Sequence, residues 1–347
     1  MAPISSTFKK QKSREIQNGY FLKLNFMGKS LVLSIGVVKS LAFLKLTLFH
    51  SFKNSFFRLL KTWACKCLEG VICKTFKDKE RIRAAGRSAA AVLDRLCAMV
   101  EPGLSTWEID EAGGEFMKDM GIKSACKGYR SGYRVFPSYT CLSVNDEIVH
   151  GIGVKERILK EGDVISVDVC IREDGFVGDN CRTVPVGEVS PEVARLLRVT
   201  EESLYIGLVH AVHKNRVGDI GNAVQRHVED EGFAIITNFV GHGVGRTLHE
   251  DPQIPNYGKP GTGAQLRKGM AICVEPMVNT KSPRVRMAKD GWTALAEDQL
   301  PSAHFEHTML VDEGIPEIVT LPPGYHHATK FLKDKLEQLS LDVVLDC

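Results

Sequence analysis

The first 76 residues lack an apolar run long enough to cross a membrane as a helix. In their most apolar part, residues 30–50, the longest stretch without a charged residue has nine residues, whereas a spanning helix needs about 20. They also nearly lack acids, with 13 Lys and Arg against two Glu, a surplus of 11 in a 347-residue chain of net charge +3. The remaining 271 residues therefore carry −8, a mildly acidic body that argues against a nucleic-acid partner.

The cysteines lack the spacing of a disulfide framework or of a zinc finger. The group Cys65-x-Cys67-x5-Cys73 has no fourth Cys or His at finger spacing, which disfavours a structural zinc site. Several of the ten cysteines lie inside apolar, strand-like runs: Cys141, Cys170, Cys181 and Cys273. This usage is typical of reduced core thiols and predicts a cytoplasmic protein.

Composition divides the chain into three parts. Residues 1–76 are predicted to be a basic, partly apolar extension, poorly ordered or peripheral and dispensable for chemistry. Alternatives for it are weak contact with a membrane surface or an organellar transit peptide. Residues 77–321 form the main domain. Residues 322–347 are a tail with a short charged helix, predicted over 332–344, of no evident role.

Apolar periodicity predicts two sets of two helices, each followed by strands. The first set covers residues 82–100 and 106–120, and the second runs from Ser190 to about Val212 and from Gly218 to Glu231. Strand-like runs occur at residues 140–144, 162–183, 234–240, 270–274 and 303–311. This order favours a duplicated α+β domain.

Residues 162–183 predict a β-hairpin that brings two aspartates together. Apolar and polar residues alternate along the first arm, and Asp174-Gly175 is a two-residue turn signal. The resulting register places Asp168 opposite Cys181 and Cys170 opposite Asp179, so the aspartates are diagonal neighbours on one face. They either bind a cation or are solvated on an exposed sheet face.

The second half of the chain repeats this acid-bearing strand. The segment from Gly162 to Asp168 aligns with the segment from Gly269 to Glu275: glycine lies six residues before the acid, isoleucine three before and valine one before. The repeat suggests an internal duplication in which each half brings an acid to a shared site.

Residues 150–307 contain a carboxylate-rich set of potential metal ligands. Its members are two aspartates on the hairpin, a histidine between two glycines and two glutamates at strand positions: Asp168, Asp179, His242, Glu275 and Glu306. Such a set suits a pair of divalent Mn, Fe, Co or Zn ions better than a structural zinc site, which prefers thiolates.

Seven motifs, in family order, resemble the type I, bacterial-like methionine aminopeptidases, which are pita-bread metallopeptidases of family M24. They are NDEIVHG at 145–151, VDV at 167–169, Gly178-Asp179, GHGVGR at 241–246, HEDP at 249–252, EPMV at 275–278 and EHT at 306–308. The resemblance covers residues 77–321. It implies an α/β (α+β) pita-bread fold, a pseudo-twofold domain with a central antiparallel sheet and flanking helices.

The resemblance also implies roles for particular residues. The five potential ligands would hold two divalent ions, with Asp179 and Glu306 bridging them. His150 and His249 would contact the substrate and stabilise the tetrahedral intermediate, and Glu275 would also handle the proton of the attacking water. Four residues match the pocket for the methionine side chain, a soft and polarizable lining: Cys126, Phe136, Cys141 and Trp292.

Two departures from the family pattern affect this pocket. The loop between Cys126 and Phe136 is about three residues longer than the usual bacterial loop, and Leu248 replaces a common aromatic residue.

Among the remaining histidines, His307 is predicted to have a packing role. His304 and the pair His326-His327 are expected at the surface or in loops.

The implied function is removal of the initiator methionine from nascent chains whose second residue is small, by a monomer near the ribosome. A proline-specific aminopeptidase or prolidase is disfavoured because residues 1–76 are too basic to be the folded domain that precedes such catalytic domains. The type II methionine aminopeptidases carry an insertion between the second histidine and the next glutamate. Here His249 and Glu275 are only 26 positions apart, which leaves no room for it. A non-catalytic binding module is disfavoured because all five ligands are present.

Overall fold

The computed structural model describes residues 20–26, 29–35, 73–324 and 328–338. Within the basic extension, β1 (Tyr20–Phe26) and β2 (Lys29–Ile35) pair antiparallel in a compact unit separate from the one that contains the rest of the fold. The described residues include no helix long and apolar enough to span a membrane. Most of residues 30–50, the pair Cys65 and Cys67, and the pair His326-His327 lie outside the described residues.

Five helices occur in the described residues, and four of them form the two predicted pairs. They are α1 (Phe76–Cys97), α2 (Thr106–Asp119), α3 (Pro191–Val209), α4 (Val217–Asp230) and α5 (Ala328–Gln338). The helix starts follow from capping: Thr75 and Asp78 form a capping box at α1, and Ser105 and Glu108 form another at α2.

The strands that surround the candidate site belong mostly to one antiparallel sheet. In chain order the strands are β3 (Lys123–Ser124), β4 (Arg130–Ser131), β5 (Arg134–Val135), β6 (Cys141–Val144), β7 (Glu147–Val149), β8 (Val164–Glu173), β9 (Phe176–Pro185), β10 (Ala234–Ile235), β11 (Gly241–Gly243), β12 (Glu250–Ile254), β13 (Ala271–Val274), β14 (Met277–Asn279), β15 (Val285–Met287), β16 (Ala294–Ala296), β17 (Ser302–His304), β18 (Glu306–Leu310) and β19 (Glu317–Ile318). The nine-stranded central sheet has the order β12-β11-β13-β18-β9-β8-β3, with β6 on β8 and β19 on β18.

The predicted hairpin register is confirmed. In the β8–β9 pair, Asp168 lies opposite Cys181 and Cys170 lies opposite Asp179. The two carboxylates are not on a solvated face, since Asp168 is 9% exposed and Asp179 is 3% exposed. The hairpin therefore places two acids in the interior of the protein.

The internal duplication is visible in the backbone. The strands β9 and β18 are neighbours at the centre of the sheet, with β8 and β13 on their outer sides. Gly162 and Gly269 have φ angles of 88° and 90°, a region that favours glycine. The residue four positions before each glycine bridges to the residue that precedes the second helix of its half: Ile158 to Ser105, and Gln265 to Arg216.

Three sequence expectations about secondary structure need correction. The run 234–240 forms only the short β10. The expected strand 303–311 is divided at Phe305 into β17 and β18, because β17 pairs with β14 whereas β18 pairs with β13 and β9. The tail helix begins at Ala328, and it has a role because Leu332 and Leu336 are buried in the core of the second half.

Candidate active site

Every residue that the sequence predicts for the site lines one cavity of about 440 Å³. The lining includes Cys126, Phe136, Cys141, His150, Asp168, Asp179, His242, His249, Glu275, Trp292 and Glu306. The five potential ligands come from adjacent strands of the central sheet: β8, β9, β11, the end of β13, and β18. Sheet pairing therefore brings together residues that are far apart in the chain.

The potential ligand atoms form two overlapping groups. Atoms of Asp179, His242 and Glu306 lie within 4.8 Å of one another, together with the thiol of Cys273. Atoms of Asp168 and Asp179 form a second group with Cys170 at the same limit. Because Asp179 belongs to both groups, its carboxylate lies between two places where a cation could bind.

The orientation of His242 is set by its backbone surroundings. Its Nδ1 lies 2.9 Å from the carbonyl oxygen of Gly243, so Nδ1–H donates there and Nε2 faces the carboxylates. Nε2 lies 3.6 Å from Asp179 Oδ2 and 3.5 Å from Glu275 Oε1. A Cβ at Gly241 would come within 2.3 Å of the Cys273 carbonyl oxygen, which explains the need for glycine beside this histidine.

Burial and mutual repulsion make the site unfavourable for uncompensated charge. Burial raises the pKa of Asp179 to about 7. Burial, followed by repulsion from the neighbouring carboxylates, raises the pKa values of Asp168, Glu275 and Glu306 well above their ordinary range. Burial also lowers the pKa of His242 to about 4, so its imidazole is neutral. A cation among these groups would reverse the penalty.

The unpaired oxygens of the cluster fit a metal site. Among the described residues, Asp179 Oδ1 and Glu306 Oε1 are buried without a hydrogen-bond partner. Such orphaned acceptors are rare in folded proteins unless an ion or water satisfies them. The donor set of four carboxylates and one neutral imidazole therefore fits divalent ions of the Mn, Fe, Co or Zn type.

The two predicted substrate histidines lie beside this cluster. The Nδ1 atom of His249 is 2.8 Å from the hydroxyl of Tyr129, and its ring centroid is 4.5 Å from that of His242. His150 has a φ of 61° and its ring packs edge-on against Phe239, with centroids 5.5 Å apart. A left-handed backbone at a non-glycine residue is a strained conformation that is often found at functional sites.

The loop before His249 is fixed by Glu250, a residue that the sequence did not single out as functional. Its carboxylate accepts hydrogen bonds from the backbone N–H groups of Arg246, at 2.8 Å, and Thr247, at 3.2 Å. It also forms an ion pair with Lys74, which precedes α1. Since the paired residues are 176 positions apart, no local sequence signal could reveal this contact.

The predicted methionine pocket adjoins the carboxylates. Phe136 and Trp292 meet edge to face with centroids 5.3 Å apart, and Cys141 lies opposite Asp168 in the β6–β8 register. Leu248, one departure from the family pattern, is buried in the same apolar cluster. The longer loop forms the hairpin β4–β5, and its Arg134 lines the cavity and donates to the Gly291 carbonyl oxygen at 2.9 Å.

The expectation that His304 lies at the surface or in a loop is wrong. The residue is on β17, is 2% exposed and lines the cavity. Its Nε2 is 3.7 Å from Glu275 Oε2. The alternation of the segment was a usable signal, since His304 and Glu306 are two positions apart and period-two alternation places them on one face.

The packing role predicted for His307 is confirmed. Its Nδ1 lies 2.9 Å from Thr320 Oγ1 and its Nε2 lies 3.2 Å from the hydroxyl of Tyr205. His307 is therefore a buried histidine whose two ring nitrogens have partners outside the cavity.

Comparison with known families gives this geometry a context. A model of metallopeptidase family M24 matches residues 80–313. The chain belongs to metallopeptidase family M24. Within M24 it belongs with the bacterial type I methionine aminopeptidases, being 44% identical over 250 residues to methionine aminopeptidase 1 of Bacillus subtilis, which is 72% of this chain and 99% of that protein. It is 39% identical over 249 residues to the Escherichia coli methionine aminopeptidase, or 72% of this chain and 93% of that protein.

Solved structures of similar proteins share the fold of this chain. The crystal structure of methionine aminopeptidase from Thermotoga maritima has a TM-score of 0.69 and 43% identity, covering 72% of this chain and 99% of that chain. Prolidase from Pyrococcus furiosus is 20% identical with a TM-score of 0.59, covering 72% of this chain and 65% of that chain, a likeness of fold alone. The chain has the pita-bread fold that the sequence predicts, and membership of M24 implies divalent metal binding.

Proposed function

We propose that the protein removes the N-terminal initiator methionine from nascent chains whose second residue is small. The observation that carries this proposal is the shared cavity, in which a buried carboxylate–histidine cluster adjoins an apolar pocket with thiol and aromatic walls. A hydrolytic centre thus lies beside a site of side-chain size. The bacterial methionine aminopeptidases to which the chain is similar support the same reaction.

In this proposal, five residues hold two divalent ions, Co, Mn, Fe or Zn: Asp168, Asp179, His242, Glu275 and Glu306. Asp179 and Glu306 each carry an orphaned oxygen among the described residues, which supports a role for both carboxylates in holding the ions. When bound, the ions would act as Lewis acids towards the scissile carbonyl and the attacking water.

The remaining chemistry belongs to side chains of this chain. The Glu275 carboxylate accepts a proton from the attacking water as its oxygen bonds to the carbonyl carbon, and then returns it to the leaving amine nitrogen. His150 and His249 donate N–H groups to the developing oxyanion. For His249, the Tyr129 hydroxyl at Nδ1 fixes the ring and leaves Nε2 for the substrate.

The side chain of the substrate methionine occupies the pocket formed by Cys126, Phe136, Cys141 and Trp292. The thiols and the edge-to-face aromatic pair offer a polarizable lining for a thioether. Burial of Cys126, Phe136 and Cys141 excludes water from this side of the cavity, which favours an uncharged substrate side chain.

The domain boundaries, the oligomeric state and the cellular location are also proposals. The catalytic domain is residues 77–321, the active protein is a monomer in the cytoplasm that works near the ribosome, and no nucleic acid is recognised. Residues 1–76 are a peripheral extension, with weak membrane contact or organellar targeting as alternatives, and residues 322–347 are the tail.

The test is release of the first residue from synthetic peptides by metal-free protein titrated with Mn(II), Co(II) or Fe(II). Cleavage of Met-Ala-Ser but not of Leu-Ala-Ser or Met-Leu-Ser is the expected result. Cleavage of Ala-Pro-Ala instead would assign the protein to the proline-specific relatives. Absence of cleavage with every metal would favour a binding module.

A further inference from the structure

His304 is a buried histidine of the cavity to which the proposed reaction gives no role. It is 2% exposed, and within the described part of the chain neither Nδ1 nor Nε2 has a hydrogen-bond partner. A buried polar group without a partner destabilises the folded state. The ring nitrogens of His304 therefore call for a role that an apolar side chain could not fill.

The backbone of His304 is held firmly. Its N–H donates to Thr183 Oγ1 at 2.8 Å, and Thr183 Oγ1 in turn donates to the His304 carbonyl oxygen at 2.8 Å. On the other side, His304 pairs with Met277 across the β14–β17 ladder. Since Met277 follows Glu275 by two residues, the same ladder fixes the imidazole relative to the Glu275 carboxylate.

The two oxygens of Glu275 face different imidazoles. Oε1 lies 3.5 Å from His242 Nε2, on the side of the ligand cluster. Oε2 lies 3.7 Å from His304 Nε2. His304 is thus the histidine on the side of Glu275 away from His242.

We propose that His304 is a positioning residue for Glu275, with its Nε2–H donating to Oε2 and thereby directing Oε1 towards the ligand cluster. This role rests on the function proposed for Glu275. Groups that donate to a metal-binding side chain fix its orientation and raise its affinity for the ion. Catalytic hydrogen bonds are often long without substrate and shorten in the loaded site, which accounts for the separation of 3.7 Å.

The experiment compares two replacements of similar length in the full chain, His304→Gln and His304→Met. Glutamine keeps an N–H donor and methionine does not. His307→Gln is the matched control, because His307 is also buried but has its partners outside the cavity. Mn(II) affinity is measured by calorimetry without substrate, and kcat and KM are measured separately with Met-Ala-Ser.

Removal of the donor should lower Mn(II) affinity by about 10- to 100-fold and lower kcat, with KM nearly unchanged. His304→Gln should stay within about threefold of the wild type in both quantities, and His307→Gln should leave Mn(II) affinity unchanged. A folded His304→Met protein with wild-type affinity and kcat would overturn the proposal, as would equal losses in the Gln and Met variants.

Two further results keep the test decisive. If His304→Met does not fold, His304→Asn replaces it, because its shorter donor cannot reach Glu275 and the same loss is expected. If the wild-type protein binds Mn(II) but cleaves no methionine peptide, the proposed function fails. The calorimetric comparison would still decide the role of His304.

Discussion

The two halves of the catalytic region have the same arrangement of elements but contribute their potential ligands to the site in different ways. Each half has a pair of helices, a bridge to the start of the second helix, and a glycine of positive φ six residues before an acid. The first half places Asp168 and Asp179 on a single hairpin. The second half distributes its ligands over three strands: His242 on β11, Glu275 after β13 and Glu306 on β18.

This difference shows which parts of the site are local in sequence. A two-residue turn sets the distance between the two aspartates. The distances among the ligands of the second half are instead set by pairing between β11, β13 and β18. The first half therefore forms its share of the site by itself, whereas the second half depends on the completed sheet.

The largest effect is expected from breaking the contribution of the first half with Asp179→Asn. Its carboxylate belongs to both ligand groups, so loss of its charge should weaken both metal positions and reduce kcat/KM by more than about 100-fold. Peptide cleavage and calorimetry with Mn(II) measure the two effects. Asp174→Asn, in the exposed turn of the same hairpin, is the control. Wild-type metal affinity in Asp179→Asn would contradict the assignment.

A smaller effect is expected from breaking the contact that ties the start of the first half to the second. The backbone N–H of Lys74 donates to Gly269 at 2.7 Å, and its ammonium pairs with Glu250. Replacing Lys74 by Met leaves a largely buried carboxylate uncompensated, which should lower the free energy of unfolding by roughly 2 kcal/mol. Urea denaturation measures this change.

The exposed Lys77 provides the control, because Lys77→Met should change stability by less than about 0.5 kcal/mol. Adding Glu250→Gln to Lys74→Met should cost less than the sum of the single changes, since the two residues interact directly. Additive costs would show that the ion pair does not contribute.

The substitutions Gly162→Ala and Gly269→Ala test whether the glycine turns of the two halves are equivalent. At both positions an added Cβ would meet only ordinary contacts, at 3.7 Å and 3.5 Å, so the cost comes from the positive φ. Each change should therefore lower stability by about 1–2 kcal/mol, measured by urea denaturation. Gly314→Ala, where an added Cβ meets nothing within 4 Å, should be nearly neutral. Clearly unequal costs would indicate that the two turns are not equivalent.

The smallest expected effect is the pH dependence of the stability that the Lys74–Glu250 ion pair contributes. Burial raises the pKa of Glu250, but hydrogen bonds and charge from Lys74, with backbone N–H groups of the loop, outweigh it and lower the pKa below the ordinary 4.5. The pair therefore stabilises the fold above about pH 4.5 and loses this contribution as the pH falls through the lowered pKa.

The stability difference between wild type and Lys74→Met should accordingly shrink by under about 1 kcal/mol between pH 7 and pH 4. Urea denaturation at the two pH values measures it. A difference that grows on acidification would have the wrong sign for a carboxylate with a lowered pKa.

Features with local causes could be predicted from the sequence. The hairpin register followed from alternation and one Asp-Gly turn, and the two pairs of helices followed from apolar periodicity. The glycine turns of the duplication were readable from two matched segments. The convergence of all predicted site residues on one cavity rested on motifs, because spacing alone could not place His242 beside Glu306.

The remaining features depend on tertiary contacts. The break at Phe305 arises because consecutive strands join different sheets, a division that the local sequence does not reveal. Lys74 finds its partner 176 positions away. The packing of α5 on the second half depends on Leu332 and Leu336 meeting a core that is formed by distant residues.

The adjacency of β9 and β18 at the centre of the sheet has a consequence for the order of folding. Asp179 and Thr308 exchange hydrogen bonds at this junction, with the Thr308 hydroxyl accepting from the Asp179 N–H at 3.2 Å and donating to its carbonyl oxygen at 2.7 Å, across 129 positions. Contacts of such long range form slowly, because loop closure must precede them. A growing chain thus cannot assemble the ligand set until β18 has been synthesised, and metal binding would report that β18 has paired with β9.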